Sequence, residues 1–89
     1  MSGYSYATEK SKLFTDEGQR TFLKVRDKAA KLLEEAGAVR SGKLMMISGA
    51  NDTWEMMACM DRLVELGELR EVTSPEVWGQ DRIFVKGRN

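Results

Sequence analysis

Apolar residues recur at helical spacing in the stretch that follows Thr15. Thr15 can accept a hydrogen bond as an N-cap, and Asp16 and Glu17 suit the positive end of a helix dipole. Gly37 can adopt the left-handed conformation that ends a helix. The pattern therefore predicts a long first helix that ends before Gly37. The apolar positions that share one face of this helix are Phe22, Val25, Ala29, Leu32, Leu33 and Ala36.

Two further elements are expected between the first helix and Gly67. Residues 44–47 form a compact apolar run between two glycines, and periodicity leaves open whether residues 41–48 form a helix or a strand. Asp52 and Glu55 are spaced as a capping box, which predicts the start of another helix. Gly67 supplies a left-handed residue at the end of that helix. Its apolar stripe consists of Met56, Met60, Leu63 and Val64.

The C-terminal part of the chain has the pattern of a β-hairpin. Residues 69–73 and 82–86 contain β-branched and aromatic residues, and the eight residues between them include the single proline of the chain. Residues 1–13 are mostly small and polar without periodicity, so we expect a flexible N-terminal arm. Residues 88–89 form a polar C-terminal tail. A chain of 89 residues has room for one core, which we place in a single domain over residues 14–87.

The element order and the spacing in the third helix and hairpin resemble winged helix-turn-helix domains. The spacing is carried by Met56, Met60, Leu63, Gly67 and Leu69. The resemblance implies an α+β, winged helix-turn-helix-like fold with a long first helix, a short apolar element, a capped third helix and a C-terminal β-hairpin wing. The second element departs from the family pattern. The turn glycine Gly49 has Met45 four residues before it and Glu55 six residues after it, where the family has a small and an apolar residue.

Histidine and cysteine, two residue types that often act in catalysis and metal binding, are scarce in this chain. It has no histidine and one cysteine, Cys59, so Ser-His pairs, Cys-His pairs and a Cys/His zinc site are excluded. The sequence contains no glycine-rich phosphate-binding motif. Asp61 and Glu65 are spaced as a carboxylate pair, but we expect them in solvent beside Arg62. We therefore expect a non-catalytic protein with no metal and no cofactor.

Several features of the sequence favour a cytoplasmic protein. A single cysteine cannot form an internal disulfide, which fits a reducing compartment. The first twelve residues lack an apolar run of signal-peptide length. No apolar run reaches the roughly 20 residues that a membrane span requires, so we expect no membrane partner.

Duplex DNA is one candidate partner, because the resemblance implies a third helix in the major groove. The net charge is zero, but residues 1–43 hold nine basic against six acidic residues, whereas residues 44–89 hold five against eight. The acidic third helix would repel phosphate. If DNA binds, we expect phosphate contacts from the basic first helix, the arm and the residues just after the helix. The predicted contact residues are Lys24, Lys28, Lys31, Arg40 and Lys43.

A protein partner is the alternative. Tryptophan offers the large amphipathic contact area that interface hot spots favour, and the chain has two tryptophans. The predicted protein interface, on the third helix and the wing, consists of Trp54, Glu55, Asp61, Arg62 and Trp78. The sequence leaves DNA and protein partners open, and the same surface could join two copies in a homodimer.

Overall fold

Helices and a small antiparallel sheet make up the chain in this computed structural model, which describes residues 4–48, 53–73 and 82–88. The predicted α+β class is confirmed. Within these ranges, no helix is both long and apolar enough to cross a membrane. The helical elements are α1 (Tyr6–Glu9), a 3-10 helix (Lys10–Phe14), α2 (Asp16–Ala36), α3 (Ser41–Ser48) and α4 (Thr53–Glu65). The strands are β1 (Val39–Arg40), β2 (Leu69–Glu71) and β3 (Ile83–Lys86).

Both ends of α2 lie where the sequence predicts them. The Thr15 hydroxyl accepts a hydrogen bond from the Gly18 N–H at 3.0 Å, which caps the first turn. At the other end Gly37 has a left-handed φ of 78°, and its N–H donates to the Leu33 carbonyl at 2.8 Å. The predicted stripe extends one residue too far, because Ala36 at the end of the helix is exposed. The apolar residues that α2 buries in the core are Phe22, Val25 and Ala29.

Residues 41–48, for which the sequence leaves helix and strand open, form the helix α3. α3 follows β1 directly, and the Ser41 N–H donates to the Arg82 carbonyl at 2.9 Å. Ser41 and Leu44 are buried, so the first turn of α3 contributes to the core. The sequence could not decide this element, because the apolar run is shorter than the stretch over which helical periodicity becomes visible.

The three strands pair in the order β1-β3-β2, and both pairings are antiparallel. Phe84 of the central strand faces Val39 of β1 on one side and Glu71 of β2 on the other. Phe84 and Val39 are buried, which places the middle of the sheet against the core. The sequence does not predict β1, because two residues are too few to show alternation.

The predicted hairpin is present, with shorter strands than the pattern indicates. β2 and β3 pair with Leu69 opposite Lys86 and Arg70 opposite Val85. Gly67, just before β2, has the predicted left-handed φ, at 81°. The predicted tip of the hairpin, which includes Trp78, lies outside the described residues.

α4 is buried on more sides than its apolar stripe predicts. Met56, Met60 and Leu63 are buried, as the spacing indicates. Ala58 and Cys59 lie outside that stripe, yet both are buried as well. The difference arises because residues 4–14 and the core pack against different sides of α4. Polar residues of α4 that were expected in water therefore lie next to another part of the chain.

The N-terminal residues differ most from the expectation of a flexible arm over residues 1–13. Residues 4–14, which we call the N-terminal segment, form α1 and the 3-10 helix and contact both α2 and α4. Leu13 is only 2% exposed and Glu9 only 6%. A buried apolar side chain and several side-chain hydrogen bonds tie this segment to the domain. The folded part of the chain therefore begins before residue 14.

Close packing of the N-terminal segment requires glycine at position 18, in the first turn of α2. A β-carbon on Gly18 would lie 2.0 Å from the Lys12 carbonyl oxygen and 2.9 Å from the Leu13 Cα. Alanine is normally about 1 kcal/mol more favourable than glycine inside a helix. We predict that Gly18→Ala instead lowers the free energy of unfolding by about 1–3 kcal/mol, because backbone must move. Urea unfolding followed by circular dichroism measures this change.

Arg20→Ala is the matched control, because Arg20 is exposed in the same part of α2. Its free energy of unfolding should stay within about 0.5 kcal/mol of the wild-type value. A Gly18→Ala protein as stable as wild type would contradict the close approach of residues 12–13 to α2.

Candidate interaction surface

The N-terminal segment lies on one side of α4, where polar side chains hold it. The Tyr4 hydroxyl donates to Asp61 Oδ2 at 2.5 Å, and the Tyr6 hydroxyl donates to Glu65 Oε1 at 2.9 Å. Lys10 Nζ lies 2.8 Å from Glu65 Oε2. Asp61 and Glu65 are four residues apart on a helix, so both carboxylates project from the same side. We call this side the outer face of α4, and it comprises Trp54, Ala58, Asp61, Arg62 and Glu65.

Aromatic rings lie at two places along this contact. Tyr4 packs edge-on against Trp54, with ring centroids 6.4 Å apart and an angle of 68° between the planes. The guanidinium of Arg62 lies 5.3 Å from the centroid of the Phe14 ring, in a cation–π arrangement. Phe14 is 55% exposed and Trp54 is 37% exposed. Both rings therefore combine an intramolecular contact with a surface that another molecule can reach.

Arg82, which precedes β3, connects the outer face to the sheet. Its guanidinium donates twice to Glu71 of β2, at 2.9 and 2.6 Å, and once to Asp61 Oδ1 at 2.6 Å. It also lies 5.1 Å from the centroid of the Phe84 ring. Burial lowers the pKa of Arg82, but the hydrogen bonds to Glu71 and Asp61 outweigh burial and raise it. The hydrogen bonds from Arg82 to Glu71 hold the pKa of Glu71 below its usual value.

Hydrogen bonding also shifts the pKa values of groups at the outer face. Three donors, with Lys10 first among them, lower the pKa of Glu65 from 4.5 to about 2. Burial and the hydrogen bond to Glu65 raise the pKa of Tyr6 from 10.0 to about 12. Burial and the hydrogen bond to Asp61 raise the pKa of Tyr4. At neutral pH the two phenols are therefore neutral donors, and Glu65 is a charged acceptor.

Two residues of the predicted protein interface are engaged within the chain. Asp61 is expected in solvent, but it accepts hydrogen bonds from Tyr4 and Arg82. Arg62 is also expected there, but it donates to Glu65 Oε1 at 2.6 Å and contacts an aromatic ring. The expectation fails because the N-terminal segment and the start of β3 both approach this side of α4. Neither residue offers an unengaged charge to a partner in this arrangement.

The other predicted interface residues have different surroundings. Trp54 is partly exposed at the start of α4. Glu55 is half-buried and lines a small cleft together with Glu9 and Lys12. Trp78 lies outside the described residues.

Sequence reasoning missed five residues that build this surface. The only available signal was chemical complementarity, because hydroxyl and ammonium donors in the N-terminal stretch match the acidic face of a distant helix. The missed residues are Tyr4, Tyr6, Lys10, Glu65 and Arg82.

The lysines predicted to contact phosphate lie on the surface of α2. Lys24, Lys28 and Lys31 are exposed, and their spacing places them on one side of the helix. None of the three forms an ion pair within the described residues. Arg40 in β1 and Lys43 in α3 are also exposed. The structure therefore keeps all five predicted residues accessible to solvent.

Acidic residues interrupt this basic surface. α2 carries five basic and five acidic residues, so the helix as a whole has no net charge. The cations of the N-terminal segment are also neutralised, since Lys10 pairs with Glu65 at 2.8 Å and Lys12 pairs with Glu9 at 3.1 Å. These two lysines of the predicted arm therefore already have acidic partners within the chain.

A groove of about 440 Å³ lies between α2 and the sheet. Its rim carries the ion pair Arg26–Glu68, with Arg26 Nε 3.1 Å from Glu68 Oε1, together with Glu34 and Lys86. Two positive and two negative groups on the rim select neither an anion nor a cation. The apolar residues that line the groove are Ala29, Ala30, Leu33, Leu63 and Leu69.

Metal ligands and nucleophiles are the remaining groups that could give the protein a chemical activity. Among the residues that the structure describes, no cluster of three or more His, Cys, Asp or Glu side chains could hold a metal ion. Cys59 is buried, and burial raises the pKa of its thiol to about 12. A thiol with so high a pKa stays protonated at neutral pH and is a poor nucleophile.

No protein-family model, curated protein or solved structure matches this chain. Its function therefore has to be inferred from the geometry of the outer face of α4, the N-terminal segment and the charged surface of α2.

Docking of the N-terminal segment should be visible in the titration of its phenols. The chain has two tyrosines, Tyr4 and Tyr6, so phenolate absorbance near 295 nm reports on this segment alone. The pKa of Tyr6 is higher in the folded protein than in the unfolded chain. Its hydrogen bond therefore contributes fully to the stability of the fold below pH 10, and this contribution is lost as the pH rises through about 12. We predict that neither tyrosine ionises with a midpoint near 10 while circular dichroism still reports a folded protein.

Glu65→Gln supplies the matched comparison. It removes the charge that helps to raise the Tyr6 pKa, so the first ionisation step should move from about 12 towards 10.0. Glu34→Gln, which removes an exposed acid of α2 from outside the site, should leave the titration unchanged. Ionisation of one wild-type tyrosine near pH 10 in the folded protein would contradict the docked position of the segment.

Proposed function

We propose that the chain is a non-catalytic, winged-helix-type module that binds a protein partner at the outer face of α4 and its borders. The fold type is supported by the element order α2, β1, α3, α4, β2, β3 and by the central position of β3 in the sheet. A non-catalytic role is supported by the lack of histidine and by the protonated, buried thiol of Cys59.

One observation carries the choice of a protein partner. α4 is the helix that a winged-helix protein would insert into the major groove. Its outer face carries the acids Asp61 and Glu65 and lies beneath the N-terminal segment. The segment fills the space that a DNA groove would need, and Arg62 is the single basic residue with which α4 could contact phosphate. This arrangement favours a partner other than duplex DNA at α4.

The borders of the outer face offer contacts that suit a protein. Phe14 and Trp54 are large, exposed aromatic side chains, and each already makes an intramolecular ring contact. Aromatic side chains held in place lose little entropy on binding and are frequent interface hot spots. Trp54 borders the N-terminal segment and Phe14 is its last residue, so a partner could contact the rings and the segment together.

Duplex DNA bound through α2 is the second candidate. Its support is the exposed and unpaired state of Lys24, Lys28 and Lys31 within the described residues, with Arg40 and Lys43 as further exposed cations. The five acids of α2 count against it, because they reduce the number of counterions that phosphate contacts can release.

A titration with mixed-sequence duplex DNA separates the two candidates. We predict a Kd no tighter than about 10⁻⁴ M at physiological salt, because the described surface lacks a continuous basic stripe. Fluorescence anisotropy at about 50 and about 200 mM salt makes the measurement, with the double variant Lys24→Glu, Lys28→Glu as the comparison. Tight binding that weakens steeply with salt and is lost in the double variant would establish the DNA candidate instead.

Affinity capture from cells that express the chain tests the protein partner. We predict that wild type retains one protein identifiable by mass spectrometry, and that Phe14→Ala and Trp54→Ala each reduce its recovery about tenfold or more, as loss of a hot spot would. Leu23→Ala is the control, because Leu23 is an exposed apolar residue of α2 outside this surface. Recovery of the chain itself as the captured protein would identify a homodimer.

Equal loss of capture with Leu23→Ala would place the interface elsewhere. Full retention by both aromatic variants would contradict the proposed surface.

A further inference from the structure

We propose that the outer face of α4 recognises a partner segment bearing tyrosine hydroxyls and a lysine ammonium, and that residues 4–8 with the Lys10 side chain occupy this site until the partner displaces them. This inference rests on the proposed function and specifies its partner and regulation. The N-terminal segment is then a ligand carried by the chain itself, and its contacts show which chemistry the site accepts.

Residues 4–8 are held less firmly than the residues that follow, although the hydrogen bond from Tyr4 to Asp61 is part-buried and Tyr6 packs against the core. α1 is a single turn, and Ser5 makes no side-chain hydrogen bond to cap it. The hydrogen bond from Tyr6 to Glu65 and the ion pair from Lys10 to Glu65 are both exposed to solvent. Exposed pairs of this kind contribute little to stability, and short terminal helices readily detach by local unfolding.

The following residues are held much more firmly. Leu13 is in the core, and Glu9 is buried with its carboxylate 3.1 Å from Lys12 Nζ. The 3-10 helix can therefore keep its place on α2 while residues 4–8 leave α4. Lys10 releases Glu65 by rotation of its long side chain, without any movement of this anchor. The boundary between weakly and firmly held residues defines the displaceable part.

The acids beneath the segment stay oriented when it leaves. Asp61 Oδ1 remains bound to Arg82 at 2.6 Å, and Glu65 Oε1 remains bound to Arg62 at 2.6 Å. Departure of the segment vacates Asp61 Oδ2, which accepts from the Tyr4 hydroxyl, and Glu65 Oε2, which accepts from Lys10. It also removes the Tyr6 hydroxyl from Glu65 Oε1, which keeps Arg62. Two acceptors one helical turn apart, each fixed by a cation on the other oxygen, form a pre-organised site for a hydroxyl and an ammonium.

Competition explains how the site would be regulated. A short tether gives the resident segment an effective concentration on the order of millimolar, so an identical free segment competes poorly. A partner must add contacts that residues 4–8 lack. Phe14, and the part of the Trp54 ring that Tyr4 leaves exposed, offer such contacts. The site therefore stays closed to isolated segments and opens to a partner that also contacts these rings.

The test uses a fluorescently labelled peptide with the sequence of residues 2–12. The full chain carries Tyr4→Phe, Tyr6→Phe and Lys10→Gln, which keep the rings but remove the hydroxyls and the ammonium from the resident segment. We expect this variant to bind the peptide at least about tenfold more tightly than wild type does, since competition within the chain is weakened. Anisotropy gives both affinities, and circular dichroism verifies folding. Lys10→Gln alone replaces the triple variant if that does not fold, and it should show a smaller gain.

Two matched changes determine whether the peptide occupies the proposed site. Glu65→Gln in the triple variant should remove most of the gain, whereas Glu34→Gln on α2 should preserve it. A peptide with phenylalanine in place of both tyrosines should also lose the gain. Equal binding by wild type and variant, or binding insensitive to Glu65→Gln, would overturn the inference. Capture of a partner could still depend on Phe14 and Trp54 in that case, so the proposed function would stand. If capture fails and the peptide binds as expected, only the proposed function is refuted.

Discussion

The arrangement of the site depends on Asp61, because its two carboxylate oxygens serve different parts of the chain. Oδ1 accepts from Arg82, which also binds Glu71 and so links α4 to the sheet. Oδ2 accepts from Tyr4 and so links α4 to the N-terminal segment. A guanidinium withdrawn from water is costly unless it is paired, so Arg82 requires acidic partners on both α4 and β2. The acid at Asp61 of α4 therefore has a structural cause.

This structural cause changes how the charge of α4 bears on function. Acids in solvent would form a simple repulsive surface, whereas here Asp61 and Glu65 are directed at hydroxyl and ammonium donors from the same chain. On α2 the basic residues are matched by an equal number of acids. These charges support the proposal of a partner that offers individual donors and aromatic contacts, because a polyanion needs a continuous positive stripe.

The N-terminal segment explains why the site could not be predicted from local patterns. Its helical pieces are too short to show periodicity, and its hydrogen-bond partners lie 55 to 59 residues away in the sequence. A polar stretch with two tyrosines has the composition of a disordered terminus until the acidic helix beside it is known. The complementary residues were visible in the sequence, but their proximity was not.

The sequence by itself determined the caps of α2 at Thr15 and Gly37, the buried stripe of α4 and the hairpin strands. Each depends on hydrogen bonds or side-chain spacing among residues that are close in the chain, so local periodicity records it. Only the tertiary structure decided that residues 41–48 are helical, that Val39–Arg40 joins the sheet, and that Asp61 is bonded rather than solvated. These outcomes depend on burial and pairing between residues far apart in sequence, which no local pattern can specify.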